Sequence, residues 1–339
     1  MASLLEAIVF SADTKVSLKG WTADVLVAPL ACGTWSWGDG YLWGYNEKRD
    51  LPGIEETWTL LNSKGAGFFD TAEVYGLGLS EKIIAAQLAK TDAAARANVV
   101  IATKWLPAPI LPSRLWPKGL VGCLKDSLAR LGVDQVDLYQ VHGKVHMLSS
   151  IESLAKSLAS CVKSGLTKTV GVSNYSQTDM IRMYDALAKE GVPLASNQVE
   201  FSLLRRLPET SGLLAAAHER SIVPLAYSPL AQGRLSGKYS EAHPPPSNRK
   251  LSGYPMKQIE PLLIVMRKIA AARKVPVSAV GLNWIMCKGE AQVDRARNAM
   301  QAEEASDAGK IRTIRVNVLS LVEFLFPRMA PYRRRDDGA

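Results

Sequence analysis

The sequence predicts an α/β fold in which eight strand–helix units close into a (β/α)₈ barrel, also called a TIM barrel. Three observations lead to this prediction. Short apolar runs rich in β-branched and aromatic residues stop abruptly at a polar or small residue, and segments with helical periodicity separate these runs. Seven such units recur along the 339 residues. Apolar strands that alternate with amphipathic helices are typical of a parallel sheet covered on its outer faces.

The predicted strands are short, and each is followed by a residue that can form a turn or take part in binding or catalysis. They cover residues 27–32, 67–69, 99–103, 136–141, 169–172, 195–197 and 222–226. Their ends lie 25 to 38 residues apart, which leaves room for one helix and two short loops in each unit. A lead-in over residues 1–26 that contains a hairpin is expected before the first strand.

The periodic segments predict helices on the outside of the barrel. They cover residues 54–61, 80–88, 115–131, 151–164, 177–189 and 209–219. Glycines stand at or just after the ends of four of them, where a left-handed backbone conformation is common. These glycines are Gly65, Gly132, Gly165 and Gly191.

An open, doubly wound sheet is the alternative to a closed barrel. Such a sheet typically carries a glycine-rich phosphate loop after its first strand. The nearest candidate, Gly76-Leu77-Gly78, lacks a third glycine and follows the second strand. The number of units also favours the barrel, for which roughly 250 residues are typical.

The eighth unit departs from the pattern. After the helix at 277–288 the chain reads Gly289-Glu290-Ala291-Gln292-Val293-Asp294-Arg295-Ala296, with two carboxylates where a buried parallel strand is normally apolar. We therefore expect an atypical or disrupted eighth strand. The barrel domain is expected to span residues 1–308, and a basic C-terminal tail that does not match it spans residues 309–339.

Composition excludes several classes of protein. A chain with 47% hydrophobic and 22% charged residues is neither disordered, collagenous nor filamentous. The net charge is +9, and residues 310–339 hold seven basic residues against three acidic ones. Only Arg333-Arg334-Arg335 approaches a nucleic-acid-binding stripe, so a solvated tail is preferred and no nucleic-acid partner is expected.

Cysteine spacing and hydropathy bear on metal binding and location. Cys32, Cys123, Cys161 and Cys287 lie far apart without a Cys-x-x-Cys pair, so no metal site is expected. The longest apolar stretches fall short of the roughly 18 residues that span a bilayer. The N-terminus lacks the basic-then-apolar order of a secretory signal. A cytoplasmic protein without a membrane partner is predicted.

Polar residues at the carboxyl ends of barrel strands converge on one mouth, where substrates bind. Such ends carry Asp70, Lys104, His142, Asn174, Gln198 and Tyr227. Asp70 and Lys104 end neighbouring strands and are expected to pair, because burying a single charge is costly. Tyr75 follows Asp70 by five residues, enough to turn back over the mouth. A nearby ammonium lowers the pKa of a phenol from its ordinary value of about 10, which makes Tyr75 a candidate proton donor.

Six short motifs, in this order and spacing, resemble the aldo-keto reductases. They are Gly33-Thr34-Trp35, Phe69-Asp70-Thr71-Ala72-Glu73-Val74-Tyr75-Gly76, Thr103-Lys104-Trp105, Asp137-Leu138-Tyr139-Gln140-Val141-His142, Gly171-Val172-Ser173-Asn174-Tyr175 and Tyr227-Ser228-Pro229-Leu230. The resemblance covers about residues 20–290. One such motif is a weak signal, whereas six in register on a barrel pattern are a strong one.

The resemblance implies an NADP-dependent oxidoreductase that reduces an aldehyde or ketone to an alcohol by hydride transfer from NADPH. Four residues match the family's catalytic tetrad: Asp70, Tyr75, Lys104 and His142. Tyr75 would be the general acid and Lys104 would lower its pKa. Asp70 would hold Lys104, and His142 would orient the carbonyl oxygen.

The resemblance also implies where NADPH binds. Ser173, Asn174 and Gln198 match positions that hold the nicotinamide carboxamide, and Tyr227 matches the ring that stacks on the nicotinamide. Arg297 is the best candidate for the 2′-phosphate, because a guanidinium makes paired charge-assisted hydrogen bonds to it. The full set of expected cofactor residues is Gly33, Thr34, Trp35, Asp70, Ser173, Asn174, Gln198, Tyr227, Ser228, Leu230, Arg297, Gln301 and Glu304.

Several alternatives remain open at the level of sequence. Asp70 and Lys104 could form a structural ion pair, Tyr75 could be an ordinary loop residue, and the chain could be a non-catalytic, cofactor-binding regulatory protein on the same barrel. The expected partner is a small carbonyl compound, and the expected assembly is a monomer or weak oligomer. Substrate choice depends on mouth loops at 36–50, 106–116 and 143–149, whose composition does not name a compound.

Overall fold

The computed structural model describes residues 15–107, 119–143, 149–247 and 253–288, together with the backbone of residues 292–294. Four sequence predictions lie outside this part of the chain. They concern Arg297, Gln301, Glu304 and the tail at 309–339, and they stay predictions.

An antiparallel hairpin and a closed parallel barrel make up the sheets. The hairpin consists of β1 (Val16–Leu18) and β2 (Val25–Val27). The barrel strands are β3 (Leu30–Gly33), β4 (Phe68–Asp70), β5 (Val100–Trp105), β6 (Val136–Val141), β7 (Thr167–Ser173), β8 (Leu194–Glu200), β9 (Val223–Tyr227) and β10 (Gln292–Asp294). They follow one another around the barrel in chain order, and β10 pairs with β3. The predicted (β/α)₈ fold class is confirmed.

The eighth strand, β10, is short but paired on both sides. Val293 is aligned with Leu30 of β3 and with Ala226 of β9, both in parallel register. Asp294 is its last residue, at the end where strands give way to loops and polar residues are tolerated. The strand has three residues, the same length as β4, and it closes the barrel rather than interrupting it. The disruption that its two carboxylates led us to expect does not occur at residues 292–294.

Helices cover the outside of the barrel. They are α1 (Glu47–Ser63), α2 (Leu79–Lys90), α3 (Ala93–Arg96), α4 (Gly119–Leu131), α5 (Ile151–Lys163), α6 (Gln177–Lys189), α7 (Leu207–Thr210), α8 (Leu213–His218), α9 (Met256–Arg273) and α10 (Val277–Met286). The single helix predicted over 209–219 is wrong, because the chain breaks at Gly212 (φ +80°) into α7 and α8. Helix α9 was not predicted, since Pro261 within it normally ends a helical pattern.

Helix α5 shows why these segments fold as they do. The Ser150 hydroxyl accepts a hydrogen bond from the Ser153 N–H at 3.1 Å and caps the helix start. Leu154, Leu158 and Val162 recur at four-residue spacing and are buried against the barrel. Gly165 follows the helix with φ +71°, and Gly65, Gly132 and Gly191 also have left-handed backbones, as predicted.

The hairpin closes one end of the barrel. Val16, Leu18 and Val27 are buried in a cluster with Phe68 and Leu138 from the barrel interior. Ligand access is therefore expected at the opposite end, where the strands have their carboxyl ends. No helix in the described ranges is long and apolar enough to cross a membrane.

Candidate active site

A buried ion pair lies at the mouth of the barrel. Strands β4 and β5 are neighbours, and their carboxyl ends bring together Asp70, the last residue of β4, and Lys104, the second-to-last residue of β5. The Lys104 ammonium is fully buried and donates to Asp70 Oδ2, and it donates to the Thr71 carbonyl oxygen at 2.9 Å. Lys104 Nζ also lies 3.4 Å from the Tyr75 hydroxyl. The two acceptors, Asp70 Oδ2 and the Thr71 carbonyl oxygen, hold the ammonium beside the Tyr75 phenol.

Gln140 supports this ion pair, and sequence reasoning missed it. Its amide Nε2 donates to Asp70 Oδ1 at 3.1 Å, so a different partner contacts each carboxylate oxygen. In β6 the Tyr139 hydroxyl donates to a carbonyl of α4, whereas Leu138 belongs to the barrel interior. A buried amide at the alternate, inward position of an apolar strand was the available signal.

Tyr75 reaches the mouth through an unusual turn. Residues Tyr75–Gly78 form a short 3₁₀ turn in which Gly76, Leu77 and Gly78 all have positive φ. A side chain on Gly76 would lie 2.5 Å from the Gly38 carbonyl oxygen, so only glycine fits there. Leu77 has φ +55° and is 88% exposed, a strained conformation of the kind that clusters at functional sites.

Aromatic rings surround the phenol. The Trp35 ring stacks on the Tyr75 ring with centroids 6.0 Å apart, and Trp43 meets Trp35 edge-on at 5.4 Å. The His142 ring approaches Tyr75 edge-on at 5.5 Å. These rings limit the positions that the Tyr75 hydroxyl can adopt, which favours a fixed distance to Lys104.

His142 is held neutral at the mouth. Burial lowers its pKa to about 3, and the positive charge of Lys104 contributes to the same shift. Its Nδ1 atom is buried and has no hydrogen-bond partner among the described residues. At neutral pH this side chain can therefore orient a ligand by a hydrogen bond but carries no charge.

The opposite wall consists of polar side chains from β7, β8 and β9. Asn174 has φ +60°, and its Nδ2 atom donates to Ser173 Oγ at 3.1 Å. The Tyr227 hydroxyl donates to Asn174 Oδ1 at 2.9 Å. Burial, with the negative charge of Glu200, raises the pKa of Tyr227 to about 12, so this phenol remains protonated. Gln198 Nε2 is buried without a hydrogen-bond partner among the described residues.

These walls enclose a cavity of about 310 Å³. The predicted site residues that line it are Gly33, Trp35, Tyr75, His142, Ser173, Asn174, Gln198, Tyr227 and Ser228. Val74 and Gln232 also line it, and sequence reasoning missed both. Asp70 and Lys104 are not among the lining residues and are buried next to the Tyr75 side chain.

Besides Asp70, two expected cofactor residues do not line the cavity. Leu230 is buried in the hydrophobic cluster formed with α9 and α10. Thr34 is fully buried, and its hydroxyl contacts Ser80 and the Asp70 carbonyl oxygen. Among the described residues, the buried side-chain atoms without a hydrogen-bond partner include Gln198 Nε2 and His142 Nδ1, and both residues line the cavity.

The chain is a (β/α)₈-barrel protein whose mouth holds a buried lysine–aspartate pair, a tyrosine and a neutral histidine. The chain belongs to the aldo/keto reductase family, whose family model matches residues 29–322. The match therefore extends past residue 308. Relatives in this family are named reductases, which supports oxidoreductase activity.

Two relatives illustrate the sequence similarity. The chain is 33% identical over 290 residues to the chloroplastic pyridoxal reductase of Arabidopsis thaliana, covering 82% of this chain and 78% of that protein. It is 28% identical over 263 residues to an L-glyceraldehyde 3-phosphate reductase of Escherichia coli, covering 72% and 74%.

Two solved structures share the fold. A glycerol dehydrogenase from Gluconobacter oxydans superposes with a TM-score of 0.76 at 25% identity, over 97% of this chain and 99% of that one. An aldo/keto reductase from Klebsiella pneumoniae, in complex with NADP and acetate, superposes with a TM-score of 0.69 at 20% identity, over 93% and 96%. The second likeness is one of fold alone.

Proposed function

We propose that the protein reduces an aldehyde or ketone to an alcohol with NADPH, and that Tyr75 is the general acid. One observation carries the proposal. The Tyr75 hydroxyl lies at the cavity wall, 3.4 Å from the ammonium of a fully buried lysine. A positive charge at this distance stabilises the phenolate, which makes the phenol a better proton donor.

The neighbouring residues support that role. Asp70 and the Thr71 carbonyl oxygen hold the Lys104 ammonium, so its charge stays beside the phenol. Neutral His142 offers a hydrogen bond at the mouth without adding a second charge. In the reaction, the Tyr75 proton passes to the carbonyl oxygen as that oxygen gains negative charge.

The polar wall fits a nicotinamide cofactor. NADPH would supply the hydride. Gln198 Nε2, which has no hydrogen-bond partner among the described residues, is a donor for a carboxamide oxygen. Ser173 and Asn174 lie beside it, and the Tyr227 ring offers a flat surface next to them. Arg297 is proposed to hold the 2′-phosphate. The NADP-bound relative from Klebsiella pneumoniae supports a nicotinamide cofactor in this fold.

An aldehyde is the first substrate class to test. The two relatives with sequence similarity are named for the reduction of pyridoxal and L-glyceraldehyde 3-phosphate, both of which are aldehydes. In this chain Trp35 and Trp43 line the cavity beside Tyr75 and could contact a flat substrate. Pyridoxal and nitrobenzaldehyde are therefore suitable first substrates.

Substitution of Tyr75 tests the proposal directly. Tyr75→Phe removes the acidic hydroxyl and should lower kcat for nitrobenzaldehyde reduction by at least about 100-fold, the range expected for loss of a general acid. NADPH affinity, measured by fluorescence titration, should stay within about twofold, because the hydroxyl contacts Lys104 rather than the polar wall. Tyr184→Phe makes the same change on the outer helix α6 and is the matched control.

Two outcomes would contradict the proposal in different ways. Equal activity in wild type and Tyr75→Phe would show that Tyr75 is not the general acid. Binding of NADPH without turnover of any aldehyde would instead support the alternative of a non-catalytic, cofactor-binding protein on the same barrel.

A further inference from the structure

We propose that three buried hydroxyl groups, those of Thr34, Thr71 and Ser80, set the distance between Tyr75 and Lys104. We call these three residues the hydroxyl cluster. They are positioning residues, because none of them lines the cavity. This inference rests on the proposed function in one respect, namely that Tyr75 is the group whose position matters.

The hydroxyl cluster is a closed network of hydrogen bonds. Thr71 Oγ1 donates to Ser80 Oγ at 2.8 Å, and Ser80 Oγ lies 2.8 Å from Thr34 Oγ1. Ser80 Oγ is also 3.1 Å from the Thr34 carbonyl oxygen. All three side chains are fully excluded from solvent. A buried network in which each hydroxyl has a partner is stiff, because breaking any bond leaves an unsatisfied polar group.

On one side, the hydroxyl cluster contacts Asp70 and includes Thr71, the two residues that bind the Lys104 ammonium. Thr34 donates to the Asp70 carbonyl oxygen from its N–H at 2.9 Å and from its hydroxyl at 3.1 Å. The Thr71 N–H donates to the Ala102 carbonyl oxygen at 2.8 Å. The backbone of residues 70–71 is therefore fixed. These two residues supply both groups that accept from the Lys104 ammonium, namely the Asp70 carboxylate and the Thr71 carbonyl.

On the other side, the hydroxyl cluster includes Ser80, which lies just after the turn that contains Tyr75. Ser80 is the second residue of α2, which begins directly after the 3₁₀ turn Tyr75–Gly78. The hydrogen bond that Thr71 donates to Ser80 therefore joins the start of the 71–80 segment to its end, and Thr34 contacts both Ser80 and the Asp70 backbone. Tyr75 lies within this closed segment. Its hydroxyl is 3.4 Å from Lys104 Nζ, at the long end of a hydrogen bond, so a small shift of the turn would lose the contact.

The same geometry argues for a positioning role of Thr34 instead of the cofactor-binding role expected from the sequence. Sequence resemblance assigns this residue to cofactor binding, yet its side chain is fully buried between the Asp70 backbone and Ser80. A residue in that place affects catalysis through Tyr75 and Lys104 rather than through contact with NADPH. The two roles differ in what they change: a positioning residue alters kcat, whereas a cofactor contact alters the Kd of NADPH.

Loss of one hydroxyl should therefore lower turnover selectively. We expect Ser80→Ala and Thr34→Val to reduce kcat by about 10-fold or more, since misplacement of a catalytic group by about 1 Å can cost roughly 100-fold. The KM for aldehyde and the Kd of NADPH should change less than about twofold. Thr34→Ser keeps the hydroxyl and should retain kcat close to wild type.

Thr169→Val is the matched structural control. The Thr169 hydroxyl is also buried and donates to the Asp137 carbonyl oxygen at 2.7 Å, but it lies near the start of β7, at the closed end of the barrel. Its loss should lower the melting temperature about as much as Ser80→Ala does while leaving kcat unchanged. The positioning role would be overturned if Ser80→Ala, like Thr169→Val, lowered the melting temperature and left kcat unchanged. It would also be overturned if Ser80→Ala weakened NADPH binding and left kcat unchanged.

A readout that does not depend on turnover separates this inference from the proposed function. The ionisation midpoint of Tyr75 can be followed by phenolate absorbance, with Tyr75→Phe as the blank. Around this phenol, Lys104 and Asp70 form the ion pair, His142 is neutral, and Glu73 lies in the same loop. Ser80→Ala should raise the midpoint, because the ammonium moves away from the phenol. An unchanged midpoint would overturn the inference even if Tyr75→Phe abolished activity. A raised midpoint in a chain without Tyr75-dependent turnover would contradict only the proposed function.

Discussion

His142 is kept neutral by its surroundings, and this has a consequence for stability. Its folded-state pKa of about 3 lies well below the ordinary value of 6.5. The unfolded chain binds a proton at this residue below pH 6.5, whereas the folded protein does so only near pH 3. Stability is therefore lost as the pH falls through this window.

We expect His142→Gln to weaken the acid dependence of folding. Between pH 7 and pH 5 the wild-type free energy of unfolding should fall by about 1–2 kcal/mol more than that of the variant, since glutamine does not titrate. Urea unfolding at the two pH values measures this difference. His218→Gln removes an exposed histidine from α8 and is the control. If the two variants showed the same pH dependence, burial of a neutral imidazole would not be the cause.

At the scale of elements, the barrel interior depends on one glycine in β7. A side chain on Gly171 would collide with Ser196 Oγ from β8 and lie 3.2 Å from Gln140 Cγ from β6. The Ser196 hydroxyl has no hydrogen-bond partner within the described ranges. Gly171 thus leaves the space in which Gln140 reaches Asp70, so packing between strands and the geometry of the ion pair are linked.

A double-mutant cycle tests this packing. Gly171→Ala should destabilise the protein by about 1–3 kcal/mol through overpacking. Ser196→Ala removes the colliding atom. Alone it should cost less than about 1 kcal/mol, because its hydroxyl has no hydrogen-bond partner in the described part of the chain. The double variant should recover at least half of the loss, seen in unfolding free energies. Purely additive effects would show that the contact with Ser196 is not what excludes a side chain.

The periodicity of apolar residues predicts the bounds of an element correctly where its apolar face packs on the barrel. The strand at 136–141 and the helix at 177–189 have the bounds that periodicity predicts, because their apolar faces match the barrel surface. Helix α9 was missed since Pro261 contradicts the local pattern and tertiary packing overrides it. Gln140 and the hydroxyl cluster were also missed, because hydrogen bonds between distant strands leave no periodic signal in the sequence.

At the scale of the whole molecule, the barrel separates its two ends. The hairpin of β1 and β2 covers the end at which the strands begin, and the cavity lies at the end where they finish. The short β10 completes the ring, and its carboxyl end lies at the same end of the barrel as the cavity. The chain therefore leaves β10 on the cavity side of the barrel.

Arg297 follows the end of β10 by three residues in the sequence. A guanidinium there can neutralise the 2′-phosphate that distinguishes NADPH from NADH. Arg297→Ala should weaken NADPH binding by about 10- to 100-fold, the loss expected for one or two charge-assisted hydrogen bonds, and leave NADH binding within about twofold. Fluorescence titration with each cofactor measures both constants, and Arg295→Ala, which removes the same charge two residues earlier, is the control. Equal losses for the two cofactors, or equal effects of the two substitutions, would show that recognition of the 2′-phosphate lies elsewhere.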